Sequence, residues 1–294
     1  MSNQWKVAAA FVAAVSLVAV QGPAFAQAAA DKKDGTQEYQ PQVGQSGKDV
    51  VWVPTPEALV ERMLRMANVT ARDYVIDLGS GDGRTVIMAA QKFGANALGI
   101  EYNPDMVAIS VKAAEKAGVS DKAKFIKADI FETDFSKATV ITMYLLPALN
   151  IKLRPKILDL RPGTRIVAHA FNMEDWEPDQ TATVEGRDAY LWIVPAKVQG
   201  NWALAVPAGN GEEKWQIALK QTFQKISGTA RLGDKSYNLT EARLRGADVA
   251  FAFVDGNGVK RQFTGRAAGD KMEGATTTQG GAKVNWSATR GRAS

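Results

Sequence analysis

The stretch Asp77-Leu78-Gly79-Ser80-Gly81-Asp82-Gly83-Arg84 sets a carboxylate and three alternate glycines directly behind the apolar run Val75-Ile76. Glycine at every second position lets the backbone turn tightly and lets a ligand approach the main chain closely. A dinucleotide fingerprint, G-x-G-x-x-G, needs glycine in the sixth place, where this chain has Arg84, and no Gly-Lys-Ser/Thr closes the turn as a phosphate loop requires. About 20 residues on, Glu101 ends the apolar run Ala97-Leu98-Gly99-Ile100, where a carboxylate can accept both hydroxyls of a ribose. A third acidic residue, Asp129, follows Lys127-Ala128 and precedes Ile130-Phe131. Three carboxylates thus stand in register, each at the end of a successive apolar segment.

The remaining chemistry is restricted by what the chain lacks. There is no cysteine and a single histidine, His169, which excludes disulfides, thiolate metal sites, cysteine nucleophiles and a multi-histidine metal centre. The net charge of +5 comes from 36 basic and 31 acidic residues spread without a basic block, so no stripe for nucleic acid is expected. At 46% hydrophobic and 23% charged over 294 residues, the chain has the composition of one large or two smaller globular domains.

The elements that must position these residues alternate. Strands are expected over 74–78, 97–101, 124–128, 140–144 and 165–170, and helices over 84–93, 104–117 and 146–159, from apolar residues at three- and four-residue spacing. Such alternation predicts a parallel sheet covered on both faces, with binding at the carboxyl ends of its strands. Segments 179–185 and 189–194, joined around Gly186-Arg187-Asp188, read as an antiparallel hairpin closing the sheet, for seven strands in all. Ahead of these, Val50-Val51-Trp52-Val53 runs into Pro54-Thr55-Pro56, with Thr55 suited to cap a helix and Pro56 to open it.

Beyond Pro195 the period changes to two. Trp215, Ile217, Leu219 and Phe223, and again Val249, Phe251 and Phe253, alternate with polar residues, predicting about six to eight antiparallel strands in a meander, sandwich or small barrel. Gly228-Thr229-Ala230 with Gly233-Asp234-Lys235 is echoed by Gly265-Arg266-Ala267 with Gly269-Asp270-Lys271, a repeat that turn glycines explain. At the other end, Lys6, the apolar run 7–20 and Ala24-Phe25-Ala26 have the pattern of a signal peptide cleaved after Ala26. The expected location is periplasmic or secreted, the alternative being a membrane anchor formed by an uncleaved N-terminal segment. Residues 27–48 read as a flexible leader, 49–195 as the α/β domain and 196–294 as the β-rich domain.

With its D-x-G-x-G-x-G turn, Glu101 and Asp129 in place, the chain resembles class I S-adenosylmethionine-dependent methyltransferases. The resemblance implies a Rossmann-like α/β fold with a mostly parallel seven-stranded sheet, and S-adenosyl-L-methionine as cofactor. It sets Asp77, Gly79, Ser80, Gly81 and Gly83 under the methionine part of that cofactor, Glu101 at its ribose, Asp129 at the adenine amino group and Ile130 against the adenine ring. Val53-Pro54-Thr55-Pro56, Val86-Ile87 after the turn, Glu101-Tyr102-Asn103-Pro104 and the cluster from Phe171 through Trp176-Glu177-Pro178-Asp179 are similar to the lysine methyltransferase family that includes the ATP synthase c-subunit and adenine nucleotide translocase enzymes. That similarity covers about residues 50 to 195. In place of an Asn/Asp-Pro-Pro-Tyr motif the chain has Met143-Tyr144-Leu145-Leu146-Pro147, which argues against adenine-N6 or glutamine methylation.

A lysine acceptor must arrive neutral, and an apolar channel lowers its pKa by desolvation. Tyr144, at the end of the fourth strand, is the first candidate to line that channel, with Trp52, Pro54, Thr55, Phe171 and Trp176 around it. His169 reads either as a structural histidine or as a proton acceptor. The expected acceptor is a protein lysine, the alternative a small molecule, with no metal and no nucleic acid; envelope association follows if the chain is exported. A competing reading is a non-catalytic exported binding protein that keeps the fold.

Overall fold

The computed structural model describes residues 39–208, 211–277 and 281–291. The expected signal peptide lies outside them. The α/β domain runs α1 (Glu57–Met66), β1 (Tyr74–Leu78), α2 (Arg84–Phe93), β2 (Asn96–Glu101), α3 (Pro104–Lys116), β3 (Ala123–Lys127), β4 (Val140–Met143), α4 (Pro147–Leu158), β5 (Arg165–His169), β6 (Gln180–Val184) and β7 (Arg187–Ile193). The sheet order is β3-β2-β1-β4-β5-β7-β6. Strands β1 to β5 are parallel, and β7 is antiparallel to both β5 and β6. Strand order reverses between β1 and β4, and a crevice opens there at the carboxyl ends.

Both faces of the sheet are covered. Leu59, Val60, Met63 and Leu64 of α1 join Val86, Ala89 and Ala90 of α2 over Val75, Ala97 and Val167. Leu153 and Ile157 of α4 join Phe135, Trp176 and Trp192 over Ile76, Ile141 and Ile166 on the other face. Alternate residues of each strand feed these two cores, which is why the strands read as continuous apolar runs. The first helix differs in one detail from the sequence expectation. Pro56 occupies its cap position and no side chain caps it, because the Thr55 hydroxyl is engaged elsewhere.

The second domain is a nine-stranded antiparallel sheet made of β8 (Gly200–Ala208), β9 (Gly211–Thr222), β10 (Lys225–Leu232), β11 (Lys235–Asn238), β12 (Thr240–Arg245), β13 (Asp248–Val254), β14 (Lys260–Ala268), β15 (Lys271–Thr277) and β16 (Lys283–Arg290). Its order is β11-β10-β9-β8-β16-β15-β14-β13-β12, and the ends meet, β10 against β12 and β11 against β13. The sheet therefore curls into a nearly closed barrel that brings its two edges together. Trp202, Trp215, Trp286, Phe251, Phe253 and Phe263 fill the interior. The echoed glycine motifs are two hairpins, β10–β11 and β14–β15. Nine strands exceed the six to eight expected because the alternation of β11 and β12 is too short to count from sequence.

One expectation is corrected. Residues 39–48 do not trail as a leader. Gly44 N donates to Trp52 O at 2.8 Å, Trp52 N to Gln45 O at 2.9 Å and Gly47 N to Val50 O at 2.8 Å. Ser46 bridges Val51 in antiparallel fashion. The polar composition that reads as disorder belongs to a tight hairpin strap held by backbone bonds. Among the described residues no helix is long and apolar enough to cross a membrane.

Candidate functional site

The glycine turn leaves β1 at Leu78 and enters α2 at Arg84. Gly81 and Gly83 both hold positive φ, 55° and 79°. A Cβ on Gly81 would lie 2.6 Å from Trp52 Nε1, and one on Gly83 2.7 Å from the Phe125 ring, so any larger residue at either place would strain the backbone and displace an aromatic ring. The Glu101 carboxylate spans the turn and the next loop, accepting from Gly81 N and from Asn103 N, each at 2.9 Å. Asn103 caps α3 through its own side chain, and the Ser110 hydroxyl donates to Gly81 O at 3.0 Å. The turn is thereby held open and in one shape.

Asp77 is buried in β1 directly opposite Thr142 of β4, and the Thr142 hydroxyl donates to its Oδ1 at 2.6 Å. Burial lifts its pKa to about 7, with the hydroxyl bonds from Thr142 and Thr85 opposing the rise. Among the described residues no cation pairs with this carboxylate, and in a wall of the cavity it fits a positively charged ligand group. Ser80 lines the same cavity, but its Oγ is buried toward Gly99 and Phe125, with no hydrogen-bond partner among the described residues.

Asp129 lies past the end of β3 and accepts from Phe131 N at 2.9 Å. Its Oδ2 also receives Lys48 Nζ, from the tip of the strap, at 2.5 Å. The Lys48 ammonium holds the Asp129 carboxyl below its ordinary range and is itself held up. Lys48 stands 5.2 Å from the centre of the Tyr102 ring, so the strap closes the cavity over Asp129 and Ile130. Trp52, at the base of the strap, covers Gly81.

The opposite end of the cavity is aromatic. The Tyr144 ring lies 3.8 Å from His169 and 6.1 Å from Phe171, centre to centre. Thr55 Oγ1 and His169 Nδ1 are 3.0 Å apart and share one hydrogen bond. Burial, with the Arg187 charge nearby, pushes His169 down to about 4, so it is neutral at physiological pH. Arg84 pairs with Asp82 at 2.6 Å and donates to Thr55 O at 3.0 Å, tying the glycine turn to the segment that reaches His169. Tyr144, Leu145, Leu146, Val53 and Phe171 then continue into a groove beside the strap.

The structure brings Asp77, Gly79, Ser80, Gly81, Glu101, Asp129, Ile130, Trp52, Pro54, Thr55 and Tyr144 around one cavity, with Phe171 in the adjoining groove. Gly83 lies at the base of the turn. Trp176 is the correction. It is fully buried, stacks on Phe223 and lines neither space, because its loop turns inward onto the second domain. Thr142, Lys48 and Tyr102 were missed. Thr142 carried a signal, a lone hydroxyl in the apolar run Val140-Ile141-Thr142-Met143; Lys48, 81 residues from its partner, carried none.

Comparison with known proteins agrees with this geometry. A family model described as the ANTKMT methyltransferase domain matches residues 77–180. A protein-lysine N-methyltransferase of Saccharolobus islandicus (strain REY15A) is 42% identical over 151 residues, 49% of this chain and 94% of that protein. The chain belongs to this family of protein-lysine methyltransferases. The ATP synthase c-subunit lysine N-methyltransferase of Mus musculus, another relative, is 36% identical over 149 residues, and the match covers 50% of this chain and 59% of the mouse protein. A solved structure, the RNA methyltransferase from Salinibacter ruber with S-adenosyl-L-homocysteine, is 50% identical over 50% of this chain and 96% of that one, with a TM-score of 0.49. As a member of the family the chain is an S-adenosyl-L-methionine-dependent methyltransferase. The buried Asp77 carboxylate and the open glycine turn, both in the cavity wall, fit that cofactor. In this methyltransferase the matched half is the α/β domain, and the barrel follows it.

Proposed function

We propose that the chain methylates the ε-amine of a lysine in a protein acceptor. The supporting observation is the aromatic end of the cavity, where the Tyr144 ring packs at a 32° tilt against a neutral His169 and opens into a groove of Val53, Leu145, Leu146 and Phe171. Such walls desolvate an approaching ammonium and favour its neutral form, while an aromatic face stabilises the methylated cation that leaves. When bound, the cofactor supplies an electrophilic methyl on a sulfonium; the amine lone pair forms the new nitrogen–carbon bond as the carbon–sulfur bond breaks, and a nitrogen proton passes to solvent. Asp77 and the glycine turn suit the methionine ammonium, Glu101 the ribose hydroxyls, and Asp129 with Ile130 the adenine. Alignment of amine and methyl, with water kept out, is the work left to the walls.

The rim of the groove is exposed and apolar: Val51, Val53 and Leu146 are 57%, 40% and 46% exposed. A lysine carried on an apolar segment suits that rim better than one on a charged loop. The test is transfer of a labelled methyl group from S-adenosyl-L-methionine to whole-cell protein, followed by mapping of the labelled residue. Label on small molecules alone, with none on lysine, overturns the reading.

Export is also proposed, from Lys6, the apolar run 7–20 and Ala24-Phe25-Ala26. Sequencing the mature N-terminus checks it; a chain isolated uncleaved from the soluble cytoplasm overturns it.

A further inference from the structure

The loop between β5 and β6, residues 170–179, carries Phe171 and so walls the proposed acceptor groove. From the α/β domain, Asn150 Nδ2 donates to Phe171 O at 3.2 Å and to Asn172 O at 3.3 Å. Arg154 Nη1 donates to Met173 O at 2.9 Å, and Trp192 Nε1 to Trp176 O at 2.7 Å. A further fastening comes from the barrel, a domain outside the matched family region. At the β9–β10 turn Phe223 stacks on Trp176, centres 5.7 Å apart and planes 16° from parallel. Gln224 accepts from Trp176 Nε1 at 3.0 Å and donates through Nε2 to Glu177 O at 2.7 Å. Lys225 Nζ lies 2.6 Å from Glu177, and the Arg154 guanidinium lies 5.4 Å from the Phe223 ring centre.

Phe223 holds a φ of 52°. Gln224 does not share the positive φ; a two-residue hairpin turn with positive φ at its first position alone takes glycine there, and a bulky aromatic residue is strained. Hairpin formation alone gives no reason for the phenyl group; its contact with the loop does. We infer that the β9–β10 turn is a positioning element for the acceptor groove, with Phe223 and Gln224 holding the 170–179 loop so that Phe171 stays across from Tyr144. The inference rests on the acceptor reading above and assigns the barrel a part in it.

The test uses the full chain with Phe223→Gly, the residue that suits the turn, with Gln224→Ala, and with Phe223→Tyr as the variant that keeps a ring. In the first two, cofactor affinity stays within about twofold of wild type, hydrogen exchange at the amides of residues 171–177 quickens, and kcat/KM for the lysine acceptor falls roughly ten- to hundredfold, chiefly through KM. Phe223→Tyr restores the wild-type values. Unchanged exchange in the loop overturns the inference, as does faster exchange with an unchanged acceptor KM. If the wild type transfers nothing to lysine, the acceptor reading falls by itself and the exchange comparison alone decides whether the turn holds the loop.

Discussion

Lys48 Nζ sits 2.5 Å from Asp129 Oδ2, so a strap formed by residues 44–52 closes on the carboxylate suited to the adenine amino group. A cofactor using Asp129 competes with that ammonium for the carboxylate. Lys48→Met is therefore expected to tighten S-adenosyl-L-methionine binding by about two- to fivefold at low salt, with the advantage shrinking at high salt, where the exposed pair is already screened. Calorimetric titration at two ionic strengths checks this; weaker binding in the variant would show that Lys48 assists the cofactor instead.

Asp77 and His169 make opposite contributions to stability with pH. Between about pH 4 and 7 the folded Asp77, raised to about 7, keeps a proton that the unfolded chain has lost, so its contribution falls as pH rises. Between about pH 4 and 6.5 the folded His169, lowered to about 4, stays neutral while the unfolded chain is protonated, so its contribution rises with pH. The two slopes oppose each other in the wild type. Asp77→Asn leaves the His169 slope, with stability climbing from pH 4.5 to 6.5, and His169→Phe leaves the reverse. Denaturant melts across that range read the two signs.

The raised pKa of Asp77 has a binding consequence. An ammonium against the carboxylate favours its ionised form, so binding a cationic ligand releases a proton below about pH 7. Cofactor affinity is expected to rise from pH 6 to pH 8 and to lose that dependence in Asp77→Asn, which binds more weakly throughout. A pH-independent wild type would remove Asp77 from the ammonium.

Glu101 supports two loops as well as a ribose. Glu101→Ala frees Gly81 N and Asn103 N, and hydrogen bonds to a charged group are worth about 1.5–3 kcal/mol each. Cofactor affinity should drop more than about tenfold, and Tm should fall as well, because Gly81 is buried under Trp52 and its N–H is left without an acceptor. Equilibrium binding and thermal melts separate the two effects.

For Tyr144 the contrast between variants is informative. Tyr144→Phe keeps the face against His169 and is expected to retain most acceptor affinity, whereas Tyr144→Ala opens the groove and should lower kcat/KM roughly a hundredfold with cofactor affinity unchanged. A large loss in Tyr144→Phe alone would assign the work to the hydroxyl. Steady-state kinetics with both substrates varied decides between ring and hydroxyl.

What the sequence alone determined was local. The glycine turn, the strand–helix alternation, the period of two beyond Pro195 and the strand-end positions of Glu101 and Asp129 are written in spacings of a few residues, and neighbours along the chain enforce them. Even Asp77 and its glycines could be assigned a cofactor, because the turn that shapes them is contiguous. Tertiary structure decided the rest: that Lys48 of an apparent leader reaches Asp129, that Thr55 turns from capping α1 to His169, and that Trp176 packs on Phe223 of the barrel rather than beside the acceptor. Each of these pairs is separated by between 47 and 114 residues, and sheet order with inter-domain packing brings them together. Residue periodicity records which face of an element is buried. It does not record which distant side chain will lie against that face, since that partner is selected only when the layers close.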